Sequence, residues 1–173
     1  PDSSSRRIRM FVWSPAGGQL PTANAPVPVV GTYTVTVAAN SNEPFGAKVT
    51  ATPLTADVEI GVNDTGQPTF ACAPLTNDLT GKIAIVDRGT CNFSEKAYRA
   101  QSAGAIACII CNFEDQLVNM AAGDFADQVT IPVVMLGKTD CDNLRKFAGD
   151  GLNITLVEPP TSGPDFIDGD FDE

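Results

Sequence analysis

Five cysteines, no histidine and a terminal cluster of carboxylates set the limits of what this 173-residue chain can do chemically. Without imidazole there is no Ser-His-Asp triad, no Cys-His dyad and no His-Glu-x-x-His zinc site. Catalysis within the chain would fall to carboxylates, lysine or cysteine. Nothing in the sequence places two carboxylates on one surface for glycosidase-type chemistry. Cys108 and Cys111 have the spacing of a redox pair, but they lie inside an apolar run and not at a helix start, where a thiolate is stabilised. Cys108 reads as a buried free thiol. Cys111 ends that run, and Cys141 opens the helix after the next one. If the two strands are parallel neighbours, both residues reach the same edge and a bridge is geometrically allowed.

The carboxylates of Asp168, Asp170 and Asp172 alternate along Asp168-Gly169-Asp170-Phe171-Asp172, as they do in calcium loops. The glycine and closing glutamate of an EF-hand are missing, so a calcium site and a solvated acidic linker both stay open. Asn63, Asn92 and Asn153 each head an N-glycosylation triplet, which matters only in a eukaryotic source.

The chain carries a net charge of −10, and its pI is about 4.3. That charge repels phosphate backbones and anionic lipid, so neither nucleic acid nor a membrane surface is an expected partner. The composition is 43% hydrophobic and 18% charged, enough apolar material for a packed core. No apolar run reaches the roughly 18 to 20 residues that span a bilayer. There is no signal peptide, and the opening at Pro1-Asp2-Ser3 reads as the middle of a longer protein.

Stepping along the chain, residues 6–13 alternate as a strand, and 14–28 form a Pro- and Gly-rich loop. Residues 29–37, 47–53 and 56–62 read as short strands. From Gly81 the texture changes. Ile83–Val86 is a compact apolar strand, and 92–103 has helical spacing through Phe93, Lys96, Ala97, Ala100 and Ala103. Ser94 stands near its start as a cap, and Gly104 stands where a C-cap belongs. Ala105–Cys111 is continuously apolar, as a strand covered on both faces would be. Ile131–Leu136 is a further apolar strand, and 139–147 a second helix with Thr139 or Asp140 as its N-cap. Leu152–Val157 is the last strand. The pattern predicts an α/β core with a β-rich flank.

The run Gly81-Lys82-Ile83-Ala84-Ile85-Val86-Asp87-Arg88-Gly89-Thr90-Cys91-Asn92-Phe93-Ser94-Glu95-Lys96 resembles the signature of protease-associated (PA) domains. The likeness continues through Ala100–Ala105, Ile109–Asn112 and Ile131–Leu136. It implies a swivelling β/β/α architecture over residues 45–157: a mixed sheet or open barrel flanked by two short helices. It also implies that residues 1–44 lead into the domain and that 158–173 form an acidic linker. By the same resemblance Cys91 pairs with Cys72, two free thiols being the alternative. The function implied is a non-catalytic module of a secreted, extracellular protein that binds protein or peptide substrate or gates a neighbouring active site. A structural spacer is the alternative. Arg88, Asn112 and Asn119 are the candidate ligand-binding groups, although plain turn chemistry also accounts for Arg88. Arg9-Met10-Phe11-Val12-Trp13 and the Asp168–Asp172 stretch look like segments that flank the zinc helix of fungalysin-type metallopeptidases. That likeness places zinc in a catalytic domain beyond this chain, and this chain itself is expected to have no cofactor and no catalytic residue.

Overall fold

The computed structural model describes residues 9–13 and 33–158. Its strands are β1 (Arg9–Trp13), β2 (Thr36–Val37), β3 (Leu54–Ile60), β4 (Ile83–Asp87), β5 (Ala107–Cys111), β6 (Val133–Leu136) and β7 (Asn153–Val157). Its helices are α1 (Phe93–Ser102) and α2 (Lys138–Arg145), and single 3-10 turns occupy Ala38–Asn40 and Ala126–Gln128. The strands form one seven-stranded mixed sheet in the order β1-β7-β3-β4-β5-β6-β2. β3 to β6 run parallel, while β7 is antiparallel to both β1 and β3, and β2 is antiparallel to β6. This is the α/β, β-rich architecture expected from the sequence.

The apolar runs explain the layering. Alternate side chains of a strand point to opposite faces. Ile83, Ile85, Ala107, Ile109, Val134 and Leu136 bury on one face, with Cys141 and Leu144 of α2 and Ile154 and Leu156 of β7. Ala84, Val86, Cys108, Ile110, Val133 and Met135 bury on the other, with Ala97 and Ala100 of α1. Strands covered on both sides have no use for alternating polarity, so their sequence is apolar throughout. Gly104, at φ 99°, ends α1 and turns the chain into β5. A Cβ there would sit 2.7 Å from the Thr80 backbone, so the close approach of that loop also requires glycine.

Some expectations are corrected. Residues 47–53 form no strand: Ala47 makes one isolated bridge to Pro132, its N–H donating to Ile131 O at 3.0 Å, and the ladder goes no further. Of 29–37, the described part pairs as a strand only at Thr36–Val37 before the chain tightens into the 3-10 turn. Ser94 does not cap α1. Asn92 holds the N-cap position, and the buried Ser94 hydroxyl has no partner. The N-cap of α2 is Gly137, not Thr139 or Asp140. Among the described residues no helix is long and apolar enough to cross a membrane.

Ile109 lies at the centre of β5 with no exposed surface. Ile109→Ala is expected to lower stability by about 2–5 kcal/mol through lost burial and a residual cavity. Urea unfolding followed by circular dichroism checks this, as a lower midpoint at unchanged slope.

Candidate functional site

The parallel register places the carboxyl ends of β4, β5 and β6 side by side, since Asp87 pairs with Cys111 and Cys111 with Leu136. The residues just past those ends continue the ladder: Arg88 N–H donates to Cys111 O and Asn112 N–H to Leu136 O, both at 2.9 Å. Such an edge is where open α/β sheets form ligand crevices. Here it carries an open cleft of about 200 Å³ lined by Phe70, Asp87, Arg88, Asn112, Phe113 and Arg145, among others.

Arg88 and Asn112, singled out from the sequence, meet in this cleft. Arg88 Nη1 donates to Asn112 Oδ1 at 2.9 Å. The Asn112 side chain is only 3% exposed, and its Nδ2 donates to Gln116 O at 2.6 Å, which sets the amide's orientation. The guanidinium stacks over Phe113 at 4.4 Å and lies 5.7 Å from the Phe93 ring. Phe113 is 60% exposed, and no other large apolar side chain among the described residues is exposed. Asn119, the third candidate, is not with them. It is an exposed loop residue whose Oδ1 accepts from Asn42 N–H at 3.3 Å. Asp168, Asp170 and Asp172 lie outside the described residues.

Charge is distributed unevenly. Asp87 is held by Arg145 through both carboxylate oxygens and accepts from Thr69 Oγ1 at 2.5 Å. Asp142 pairs with Lys138 at 2.5 Å. Among the described residues no carboxylate stands within ion-pair distance of Arg88. Arg145 and Lys138 in the lining are thus paired with carboxylates, whereas the Arg88 guanidinium bonds a neutral amide and is flanked by aromatic rings. A guanidinium in such a setting can take a carboxylate or another anionic group through charge-assisted hydrogen bonds.

Two disulfides fasten the cleft. Cys111–Cys141 ties the end of β5 to α2, and Cys72–Cys91 closes the turn that follows Arg88. Cys108 is a buried free thiol, pushed up to about 12 by burial. The Arg88 turn rests on Lys96, which has no exposed surface. Its Nζ donates to Phe70 O at 2.5 Å and Gly89 O at 2.6 Å, and burial pulls its pKa down to about 8. Ala71 and Thr90, the residues just before Cys72 and Cys91, take positive φ of 51° and 67°. Each such residue costs about 1–3 kcal/mol, which the surrounding contacts must offset. Sequence reasoning placed Lys96 on the apolar stripe of α1 without drawing its consequence, and it missed Phe113, Arg145 and Asp115.

A model of the PA domain family matches residues 28–144. Signal peptide peptidase-like 3 of Arabidopsis thaliana is 38% identical over 92 residues, 52% of this chain and 17% of that protein. Aminopeptidase YwaD of Bacillus subtilis is 44% identical over 88 residues, 51% of this chain and 19% of that protein. Among solved structures, BSAP, a zinc aminopeptidase from Bacillus subtilis, aligns at a TM-score of 0.53 and 25% identity, covering 88% of this chain and 31% of that one. The chain thus spans less than a fifth of those two curated relatives.

Asp115 anchors the helix behind the cleft. Its carboxylate accepts from Thr139 N–H at 2.7 Å and Thr139 Oγ1 at 2.9 Å in the first turn of α2. The Thr139 N–H and then its hydroxyl hold the Asp115 pKa below the ordinary value. A depressed carboxyl pKa stabilises the fold above the unfolded pKa of ~3.9 and loses that contribution as pH falls through the folded value. Wild type is therefore expected to melt higher than Asp115→Asn at neutral pH, with the gap closing below pH ~3.9. Melting temperatures measured across pH 2–7 check it.

Proposed function

The chain belongs to the PA domain family, and from that premise we propose that it is the non-catalytic recognition module of a secreted zinc peptidase, binding a protein or peptide substrate at the cleft around Arg88. The observation that carries this reading is the Arg88 guanidinium, held by Asn112 and stacked on aromatic rings, with no carboxylate at ion-pair distance among the described residues. A peptide carboxylate, from the chain end or from Asp or Glu, supplies the missing charge. An apolar side chain next to it covers Phe113. Two disulfides accord with an oxidising, extracellular setting. The neighbouring partner is the catalytic domain of the same protein. The stretches Arg9–Trp13 and Asp168–Asp172 favour a parent of the fungalysin type, while similarity to proteins named as aminopeptidases supports a peptidase parent more generally.

In the full-length protein, Arg88→Ala is expected to raise KM for protein substrates about tenfold or more, the weight of a charge-assisted hydrogen bond. Turnover of a short chromogenic peptide is expected to stay unchanged. Steady-state kinetics on both substrates check this. An unchanged KM on both, joined to a lower melting temperature on deleting residues 45–157, would make the domain a spacer that stabilises its parent.

A further inference from the structure

The two disulfides sit in different chemical surroundings. Cys111 and Cys141 are 3% and 0% exposed, and among the described residues no ammonium or guanidinium is hydrogen-bonded to their sulfurs. Cys72 and Cys91 are half-buried residues. Lys96 Nζ lies 3.5 Å from Cys72 Sγ and 3.6 Å from Cys91 Sγ. The two non-glycine residues with positive φ among the described ones, Ala71 and Thr90, each immediately precede a cysteine of this bridge.

We propose that Cys72–Cys91 is a thiol–disulfide exchange site, opened by an external dithiol and made labile by the buried Lys96 ammonium and the two strained residues beside it. The ammonium is a cation with neutral partners. Its hydrogen bonds go to two carbonyls, and the acidic groups that act on it across space are committed elsewhere. Asp87 is held by Arg145, Glu95 pairs with Arg99 at 3.1 Å, and Cys108 stays a neutral thiol. A thiolate formed at Cys72 or Cys91 gives Lys96 the counter-ion it lacks. A disulfide whose reduced form is stabilised in this way is a stronger oxidant, and a stabilised leaving thiolate departs faster. Opening the ring also frees Ala71 and Thr90 to leave the left-handed region.

The exchange balances simply. The thiolate of the dithiol bonds to one sulfur, the S–S bond breaks, and its electron pair leaves on the other sulfur beside Lys96. The second thiol of the reagent then attacks the mixed disulfide and releases the first sulfur. The reagent departs as its own disulfide, and Cys72 and Cys91 have gained two electrons and two protons. The turn that follows Arg88 then loses its covalent tie to the Phe70–Cys72 segment and keeps the hydrogen bonds that Lys96 makes to Phe70 O and Gly89 O.

The test treats the native chain with dithiothreitol, quenches with iodoacetamide at intervals, and locates alkylated cysteines by peptide mass mapping. Cys72 and Cys91 are expected to open at least about tenfold faster than Cys111 and Cys141, and Lys96→Met is expected to slow them severalfold. After selective reduction, the pH profile of alkylation at Cys72 and Cys91 is expected to have its midpoint below the ~8.5 of a free thiol. That profile uses the wild-type chain and decides the matter even if Lys96→Met fails to fold. Simultaneous opening of both bridges, an unchanged rate in a folded Lys96→Met, or an alkylation midpoint at or above the free-thiol value would each overturn the proposal.

Discussion

Three adjacent parallel strands with apolar side chains on both faces can persist in water only between two covers. That constraint organises this molecule. β4, β5 and β6 leave little polar surface on either side, so α1 must lie on one face and α2 with β7 on the other. Once both covers are in place, the faces of β4, β5 and β6 are closed to ligands. What stays accessible is the edge where the strands end, and the first residues past that edge are Arg88 and Asn112. The position of the cleft is thus a consequence of how the core is covered.

The cleft is held open by polar groups that the core could not have accommodated without specific partners. Lys96 arises from the inner face of α1, beside Ala97 and Ala100, and its ammonium is tolerated because Phe70 O and Gly89 O accept from it. Those carbonyls belong to the two chain segments that Cys72–Cys91 joins. Phe70 also packs against Gly89, where a Cβ would approach its ring to 2.7 Å. One lysine, one bridge and one glycine therefore shape the backbone that presents Arg88. On the opposite side of the cleft, Cys111–Cys141 and the Asp115–Thr139 hydrogen bonds seat α2, whose Arg145 neutralises Asp87. The pairing of Asp87 and Asp142 with their own cations is what leaves Arg88 available.

The parts of this account legible in the sequence are those governed by local pattern. The runs Ile83–Val86, Ala105–Cys111 and Ile131–Leu136 announce strands covered on both sides, and the two helices follow from spacing. The Cys111–Cys141 bridge was legible as well, because parallel neighbours bring strand ends to one edge. The same reasoning brings Arg88 beside Asn112. Contacts between distant segments were not legible. Asp115 lies 24 residues before the Thr139 it caps, and Arg145 lies 58 residues after Asp87. No short-range signal marks either. Residues 47–53 had the composition of a strand, yet their pairing stops after one bridge, at Ala47. Asn119 looked equivalent to Asn112, but it sits away from the strand ends and meets Asn42 instead.

Titration of the isotope-labelled chain with a short peptide bearing a free carboxyl terminus, followed by amide chemical shifts, tests the central claim most directly. The account predicts saturable shifts concentrated at Arg88, Gly89, Asn112 and Phe113, abolished when the peptide carboxylate is amidated. Shifts that gather instead along the apolar groove of Val49, Leu54, Pro132 and Leu156, or that ignore amidation, would contradict it.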